Sequence, residues 1–188
     1  MAPKLEVVIA STREQRGATA VAEWFLEEAK RHGKFDLEVV DLKEVNLPLL
    51  DEPHHPAQRR YQYEHTKSWS RTIEAADAFV FVVPEYNYGM PPALLNALDY
   101  LLHEWNYKAA GFVSYGGISG GTRSVQMTKQ VLTTLKVVPL PEAVVFPFFA
   151  KSIDAEKKFA PGDVQQKACT TMLDELLRWT TALRTLRA

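Results

Sequence analysis

The chain contains little cysteine, no excess of either charge and no long apolar run. Its single cysteine, Cys169, excludes an intramolecular disulfide framework and a zinc site built from several cysteines. Lys and Arg number 22 and Asp and Glu number 23, which excludes a strongly basic nucleic-acid surface. No apolar run approaches the roughly 18 residues of a membrane span, and the first residues lack the pattern of a signal peptide. We therefore expect a soluble, cytoplasmic protein.

The composition that remains is typical of one globular domain. Hydrophobic residues make up 46% of the 188 residues, which is enough to bury a core without cross-links. No repeat, low-complexity tract or shift in composition marks a boundary. We therefore expect a single domain over residues 1–188.

Short β-branched runs alternate with amphipathic segments five times along the chain. The predicted strands cover residues 5–10, 35–40, 78–83, 111–115 and 142–146. The predicted helices cover residues 17–32, 63–76, 93–103, 122–135 and 164–186, and the irregular segment 43–62 carries no recognisable motif. This alternation predicts an α/β fold with a parallel sheet and helices on both faces. Five strands favour a flavodoxin-like three-layer sandwich with the strand order 2-1-3-4-5.

The loop after the first predicted strand, residues 11–17, has the chemistry of a phosphate site. It offers two hydroxyls, two guanidinium groups and the N–H groups of the helix that follows. It lacks the glycine patterns of ATP, GTP and Rossmann-type NAD sites, so those ligands are not expected there. The alternative is a polar loop with an N-cap serine.

Two further loops follow the third and fourth predicted strands. Residues 84–92 are rich in tyrosine and proline, which suits the edge and face of a planar heterocycle. Residues 114–122 are rich in glycine, which lets the backbone approach a ligand closely. The alternatives are a proline-rich turn and a flexible loop. Because the carboxyl ends of parallel strands meet at one edge, the three loops predict a crevice for a planar, phosphorylated cofactor.

These segments resemble the NAD(P)H-dependent FMN reductases of the flavodoxin-like superfamily. The resemblance rests on Ser11-Thr12-Arg13, on Pro84-Glu85-Tyr86-Asn87-Tyr88-Gly89 and on Ser114-Tyr115-Gly116-Gly117, and it spans roughly residues 5–150. The chain departs from the family pattern at Ala10 and Ala18, where many members have glycine and serine. Ser11 and Arg13 must therefore carry more of the phosphate binding.

The resemblance implies an oxidoreductase of the quinone reductase type that binds FMN and uses NADPH or NADH as a transient co-substrate. It implies small-molecule acceptors such as quinones, azo dyes, free flavin or metal oxyanions, a homodimer or tetramer, and neither a metal nor a catalytic acid or base. FMN would receive the hydride, and the protein would bind and orient it. The residues implied in cofactor binding are Ser11, Arg13, Gly17, Ala18, Pro84, Glu85, Tyr86, Asn87, Tyr88, Ser114, Tyr115, Gly116 and Gly117.

Each part of this set has an implied role. Ser11, Arg13 and the N–H groups near Gly17 and Ala18 would hold the phosphate. The segment Pro84 to Asn87 would follow the isoalloxazine edge, and Tyr115 to Gly117 would close over its pyrimidine side. For Glu85 a structural hydrogen bond or a subunit contact is expected rather than acid catalysis.

Two other function classes stay open. A flavodoxin-like electron carrier would be strongly acidic, against which the net charge of −1 argues. A flavodoxin-like scaffold without cofactor would be colourless. The adjacent His54 and His55 lack further ligands at metal-site spacing, so no metal is expected there.

The helix after the third strand predicts a subunit contact. Its five leucines, between residues 94 and 102, are too many for one buried stripe. Tyr100 and Trp105 add aromatic surface typical of interfaces, and Asp99 lies beside them. We therefore expect this region to face a second subunit.

Overall fold

A parallel five-stranded sheet forms the centre of the protein. The computed structural model describes residues 2–154 and 158–187. The strands are β1 Lys4–Ile9, β2 Asp36–Asp41, β3 Ala78–Pro84, β4 Ala109–Tyr115 and β5 Val138–Phe146. Their order is β2-β1-β3-β4-β5, which confirms the predicted flavodoxin-like fold. Because the order reverses beside β1, ligands are expected at the carboxyl ends of β1 and β3.

Helices cover both faces of the sheet. They are α1 Ala18–His32, α2 Leu42–Val45, α3 Glu64–Ala75, α4 Pro92–Asp99, α5 Thr122–Thr134 and α6 Asp163–Leu183. One hydrophobic core packs α1 and α6 against the sheet, and a second packs α3, α4 and α5 against its other face. Every side chain of β3 is buried, as expected for a strand covered on both faces. No helix within residues 2–154 and 158–187 is long and apolar enough to cross a membrane.

Two predicted boundaries were each wrong by four residues. Strand β5 begins at Val138, four residues before the predicted start at 142, although Pro139 and Pro141 lie within it. Proline is tolerated here because β5 is an edge strand. Helix α4 ends at Asp99 rather than at 103, and a separate 3-10 turn follows at His103–Trp105.

The segment 43–62, which was predicted to be irregular, packs against the side of α4 that faces away from the sheet. The Asn96 side chain accepts the N–H of Leu50 at 2.9 Å and donates to the carbonyl of Pro48 at 2.7 Å. The Tyr100 hydroxyl lies 3.1 Å from that same carbonyl and 3.0 Å from Asp51 Oδ1. This role could not be predicted, because the segment has no periodic pattern.

This packing corrects the predicted use of α4 and the residues after it. Tyr100 and Trp105 are only 0% and 1% exposed, so they belong to the core of this chain and do not face a second subunit. Leu94, Leu98 and Leu101 are buried, and the remaining leucines pack partly buried against the same core. The leucines are thus not too many for one chain, because segment 43–62 covers the side of α4 that the sheet does not cover.

Within segment 43–62, His55 Nδ1 accepts the N–H of Ala57 at 3.1 Å.

Candidate functional site

A cavity of about 630 Å³ opens at the carboxyl ends of β1, β3, β4 and β5. This volume lies in the range of small-molecule sites. Four loops line it, with Ser11, Arg13, Gln15, Arg16, Gly17, Pro84, Glu85, Tyr86, Tyr115, Gly116, Gly117, Phe148, Phe149, Ala150 and Lys151. The three predicted loops therefore do converge, and a fourth loop after β5 joins them.

The two arginines of the first loop have different partners. Arg16 donates to the carbonyl of Ser11 and pairs with the carboxylate of Asp41 at the end of β2, with Nη1 2.7 Å from Oδ1. The hydrogen bonds that Arg16 donates to the Asp41 carboxylate raise the pKa of Arg16. Arg13 is exposed at the cavity wall and has no ion pair within the described residues. Of the two guanidinium groups, Arg13 is thus the one available to an anion.

The start of α1 supplies further donors beside Arg13. Gly17 is the N-cap residue and provides no side-chain cap, and the first helical hydrogen bond runs from Val21 N–H to the Gly17 carbonyl at 3.2 Å. The N–H groups of the first turn therefore lie at the positive end of the helix dipole without a helical acceptor. Ala18 contributes only its N–H group, because its side chain is buried in the core.

The segment after β3 forms a tight turn with a strained backbone. Tyr86 and Gly89 exchange two backbone hydrogen bonds of 3.0 and 2.9 Å. Asn87 and Tyr88, between them, have φ angles of 49° and 71°, which is the left-handed pair that a type I′ turn requires. Pro84, Glu85 and Tyr86 line the cavity, whereas the side chains of Asn87 and Tyr88 are exposed outside the wall.

The Glu85 carboxylate is held by the loop after β4 and the start of α5. Oε1 accepts from Arg123 Nε at 2.7 Å and pairs with Nη2 at 2.6 Å, and Oε2 accepts from Ser119 Oγ at 2.7 Å. Burial would raise the pKa of Glu85, but Arg123 and Ser119 outweigh it and hold the pKa below its usual range. The structural hydrogen bond expected for Glu85 is therefore present.

The glycine-rich loop is anchored through its backbone. Gly116 N–H donates to the Phe146 carbonyl at 3.2 Å, and the carbonyls of Gly116 and Gly117 accept from Phe149 and Phe148 N–H at 3.2 and 2.8 Å. An added Cβ at Gly117 would meet no protein atom within 4 Å, so the backbone there is open to a ligand.

The two residues before these glycines differ in their access to the cavity. Tyr115 lines it, with its ring centroid 5.2 Å from that of Phe149, and burial raises its pKa. Ser114 is fully buried beneath the loop, away from the cavity wall. Its Oγ has no hydrogen-bond partner among the described residues.

Sequence reasoning missed the wall formed by residues 148–151. Gln15 and Arg16 lie in the predicted first loop and line the cavity, although they were not among the residues implied in cofactor binding. Phe149 lies so close to Gly17 that a Cβ there would come within 2.5 Å of the ring. Phe148 is half-exposed, and Lys151 Nζ lies 4.9 Å from its ring centroid. The topological rule that identified the other loops also applies to the carboxyl end of β5, and it would have found this one.

A protein family described as NADPH-dependent FMN reductase matches residues 3–151. The chain belongs to this family. An NAD(P)H-dependent FMN reductase of Schizosaccharomyces pombe is 45% identical over 149 residues, which cover 77% of this chain and 74% of that one. The NAD(P)H-dependent FMN reductase LOT6 of Saccharomyces cerevisiae is 36% identical over 167 residues, which cover 76% and 87%.

More distant relatives are named after quinone and azo acceptors. A "Probable NADPH:quinone oxidoreductase 2" of Oryza sativa is 33% identical over 65% of this chain, and an NADPH azoreductase of Bacillus sp. is 29% identical over 74%. Among solved structures, the flavoenzyme NAD(P)H:(acceptor) oxidoreductase FerB of Paracoccus denitrificans superposes with a TM-score of 0.72 over 96% of this chain and 98% of that one. At 20% identity this likeness shows the fold.

As an FMN reductase family member, the chain is an oxidoreductase that uses FMN and NAD(P)H. The residues around the cavity fit FMN. The N–H groups of α1 and the available Arg13 suit a phosphate, and the open backbone at Gly117 suits a flat ring. When bound, FMN supplies the hydride chemistry, and the chain supplies binding and orientation.

Proposed function

We propose that the cavity binds FMN with its phosphate at the first turn of α1, and that this enzyme passes electrons from NAD(P)H to quinones or azo compounds. One observation carries the placement. Four loops surround a single cavity of about 630 Å³ with an available guanidinium, an uncapped helix start, an aromatic turn and exposed glycine backbone. The acceptors are proposed because relatives carry the names quinone oxidoreductase and azoreductase.

In this placement each loop binds a different part of FMN. Ser11, Arg13 and the N–H groups at Gly17 and Ala18 hold the phosphate. The turn after β3 follows the edge of the ring system through Pro84 to Asn87, with Tyr88 as its exposed corner. Tyr115, Gly116 and Gly117 cover the pyrimidine side, with Ser114 buried beneath them. Phe149 adds an aromatic wall that excludes water between the first and fourth loops.

The experiment is anaerobic mixing of the purified yellow protein with NADPH or NADH, followed by a panel of quinones and azo dyes. Heat-released ligand should be FMN, either nucleotide should bleach the flavin absorbance, and a quinone or azo dye should restore it. Recovery of FAD would contradict the phosphate site. If neither nucleotide bleached the flavin, the electron-carrier alternative would replace the reductase.

We also propose a homodimer, supported by exposed apolar side chains beside the cavity. Tyr88 and Ile118 are 71% and 77% exposed, and Phe148 is 46% exposed. Clustered exposed apolar groups commonly mark a contact surface. Light scattering at micromolar concentration should give twice the chain mass of 21.3 kDa. That a single FMN-binding domain covers all 188 residues stays a prediction, which limited proteolysis can test. A cytoplasmic location also stays a prediction, which cell fractionation can test.

A further inference from the structure

Arg123 is the single cation that pairs with Glu85 within the described residues. Glu85 lines the cavity, yet its carboxylate is only 7% exposed. Its two oxygens accept four contacts of 2.6 to 3.2 Å, three of them from the side chain and N–H of Arg123 and one from Ser119 Oγ. A negative charge at the cavity wall is thus paired with one residue at the start of α5.

The same guanidinium also supports the strained turn after β3. The Arg123 Cζ atom lies 3.7 Å from the centroid of the Tyr88 ring, which is a cation–π distance. Tyr88 and Asn87 are non-glycine residues in the left-handed region, and such residues persist where surrounding contacts hold them. Arg123 therefore contacts Glu85, two residues before the strained pair, and Tyr88, the second member of that pair.

We propose that Arg123 is a positioning residue for the flavin reaction. It neutralises Glu85 at the cavity wall and fixes the turn after β3, so that the site can accept the negative charge that FMN gains on reduction. This role rests on the binding of FMN in the cavity proposed above. Arg123 acts through Glu85 and Tyr88 and need not touch FMN.

The charge argument follows from the balance of the reaction. A hydride carries two electrons and one proton, so its transfer from NAD(P)H leaves the flavin with one additional negative charge. An unpaired carboxylate at the wall of the same cavity would repel that charge and weaken the binding of reduced FMN more than that of oxidised FMN. A difference in affinity between the two forms is a change in the midpoint potential.

A merely structural ion pair would behave differently. Arg123 is 41% exposed, but its Glu85 partner is only 7% exposed, so loss of Arg123 leaves a buried carboxylate unpaired and lowers stability in either role. Loss of a structural pair would lower the unfolding temperature without changing the ratio of the two FMN affinities. The midpoint potential therefore separates the two roles.

The test compares Arg123→Ala, Glu85→Gln, the double variant and Arg123→Lys, all with FMN bound. Arg71→Ala is the matched control, because Arg71 pairs with Glu64 on the exposed side of α3. The measurements are the dissociation constant of oxidised FMN, the midpoint potential and the unfolding temperature. Arg123→Ala should weaken oxidised FMN about tenfold and reduced FMN about a hundredfold, and the tenfold difference corresponds to a potential about 30 mV more negative.

The double variant and Arg123→Lys should both return the potential toward that of the wild type, since one removes the carboxylate and the other restores a cation. Glu85→Gln alone should raise the midpoint potential. This variant keeps the proposal testable if Arg123→Ala does not fold. The proposal is overturned if Arg123→Ala has the potential of Arg71→Ala, or if Glu85→Gln leaves it unchanged. If the wild type bound no FMN, or bound it equally well without Arg13, the placement of FMN would fail instead.

Discussion

The hydroxyl groups of Ser11 and Tyr86 lie 2.7 Å apart and join the loop after β1 to the turn after β3. Both residues line the cavity. The contact fixes the distance between the proposed phosphate loop and the proposed ring edge, and FMN has to span that distance. Removal of one of these hydroxyls therefore tests whether the contact between the two loops contributes to FMN binding.

We expect Tyr86→Phe to weaken FMN binding roughly two- to tenfold, because a typical hydrogen bond contributes about 0.5–1.5 kcal/mol. Fluorescence titration of the flavin-free protein measures this change. Tyr107→Phe is the control, since among residues 2–154 and 158–187 its hydroxyl accepts a hydrogen bond only from the exposed Lys136, at 3.3 Å. Equal affinity in Tyr86→Phe and Tyr107→Phe would show that the Ser11 contact does not shape the site.

Arg13→Ala should weaken FMN binding more than Arg16→Ala. Loss of a charge-assisted bond costs about 1.5–3 kcal/mol, which is roughly a 10- to 150-fold change in affinity. Binding of riboflavin, which lacks the phosphate, should be unaffected in Arg13→Ala. Titration with both flavins checks this, and an equal loss for the two flavins would move the phosphate site elsewhere.

Arg16→Ala should instead lower stability. Its guanidinium and the Asp41 carboxylate are 11% and 18% exposed, so removal of the cation leaves a mostly buried carboxylate unpaired. We expect a loss of about 1 to 3 kcal/mol in the free energy of unfolding. Chemical denaturation of the flavin-free protein measures it, with the exposed Arg71→Ala as the reference. An unchanged free energy of unfolding would mean that the Arg16–Asp41 pair is dispensable.

The steady-state kinetics should be ping-pong, because one cavity over the flavin has to serve NAD(P)H and the acceptor in turn. Double-reciprocal plots at several acceptor concentrations should be parallel. At saturating NAD(P)H, an unreactive NAD(P)H analogue should inhibit competitively against the acceptor. Intersecting lines would indicate that both substrates bind together.

The contribution of Lys108 to stability should rise between about pH 8 and pH 10.5. Burial lowers the pKa of Lys108 to about 8, although its Nζ donates to the carbonyl of Ile73 at 2.6 Å. Above pH 8 the folded protein loses this proton, while the unfolded chain keeps it until about pH 10.5. At this site the unfolded state then binds more protons, so the contribution of Lys108 to the free energy of unfolding increases with pH, by about 3 kcal/mol at most.

Denaturant titrations of wild type and Lys108→Met across this range measure the effect. The methionine variant should lack the rise, although it also loses the bond to Ile73 and should be less stable throughout. Lys34→Met, at an exposed position, should keep the wild-type slope. Parallel pH profiles for all three proteins would show that Lys108 does not titrate in this window.

The sheet and three of the four cavity walls could be predicted from the sequence. The β-branched runs were short, alternated with helical patterns and were bounded by Ser11, Pro84 and Pro147, so their type and order could be predicted. The partner of Arg16 could not be predicted, because Asp41 lies 25 residues away and meets it only after β1 and β2 pair. The burial of Tyr100 was missed for a similar reason, since the irregular segment that covers it has no periodicity.

The loop after β5 is attached through its main chain, and this leaves its side chains free to change. Phe148 and Phe149 donate their N–H groups to Gly117 and Gly116, and those two bonds do not depend on which side chains the donors carry. One wall of the cavity can therefore be relined by substitution at 148, 150 and 151 while its backbone and Arg13 stay in place. Substitutions at this wall, in evolution or in protein engineering, can therefore change which acceptor the protein uses while FMN binding is kept.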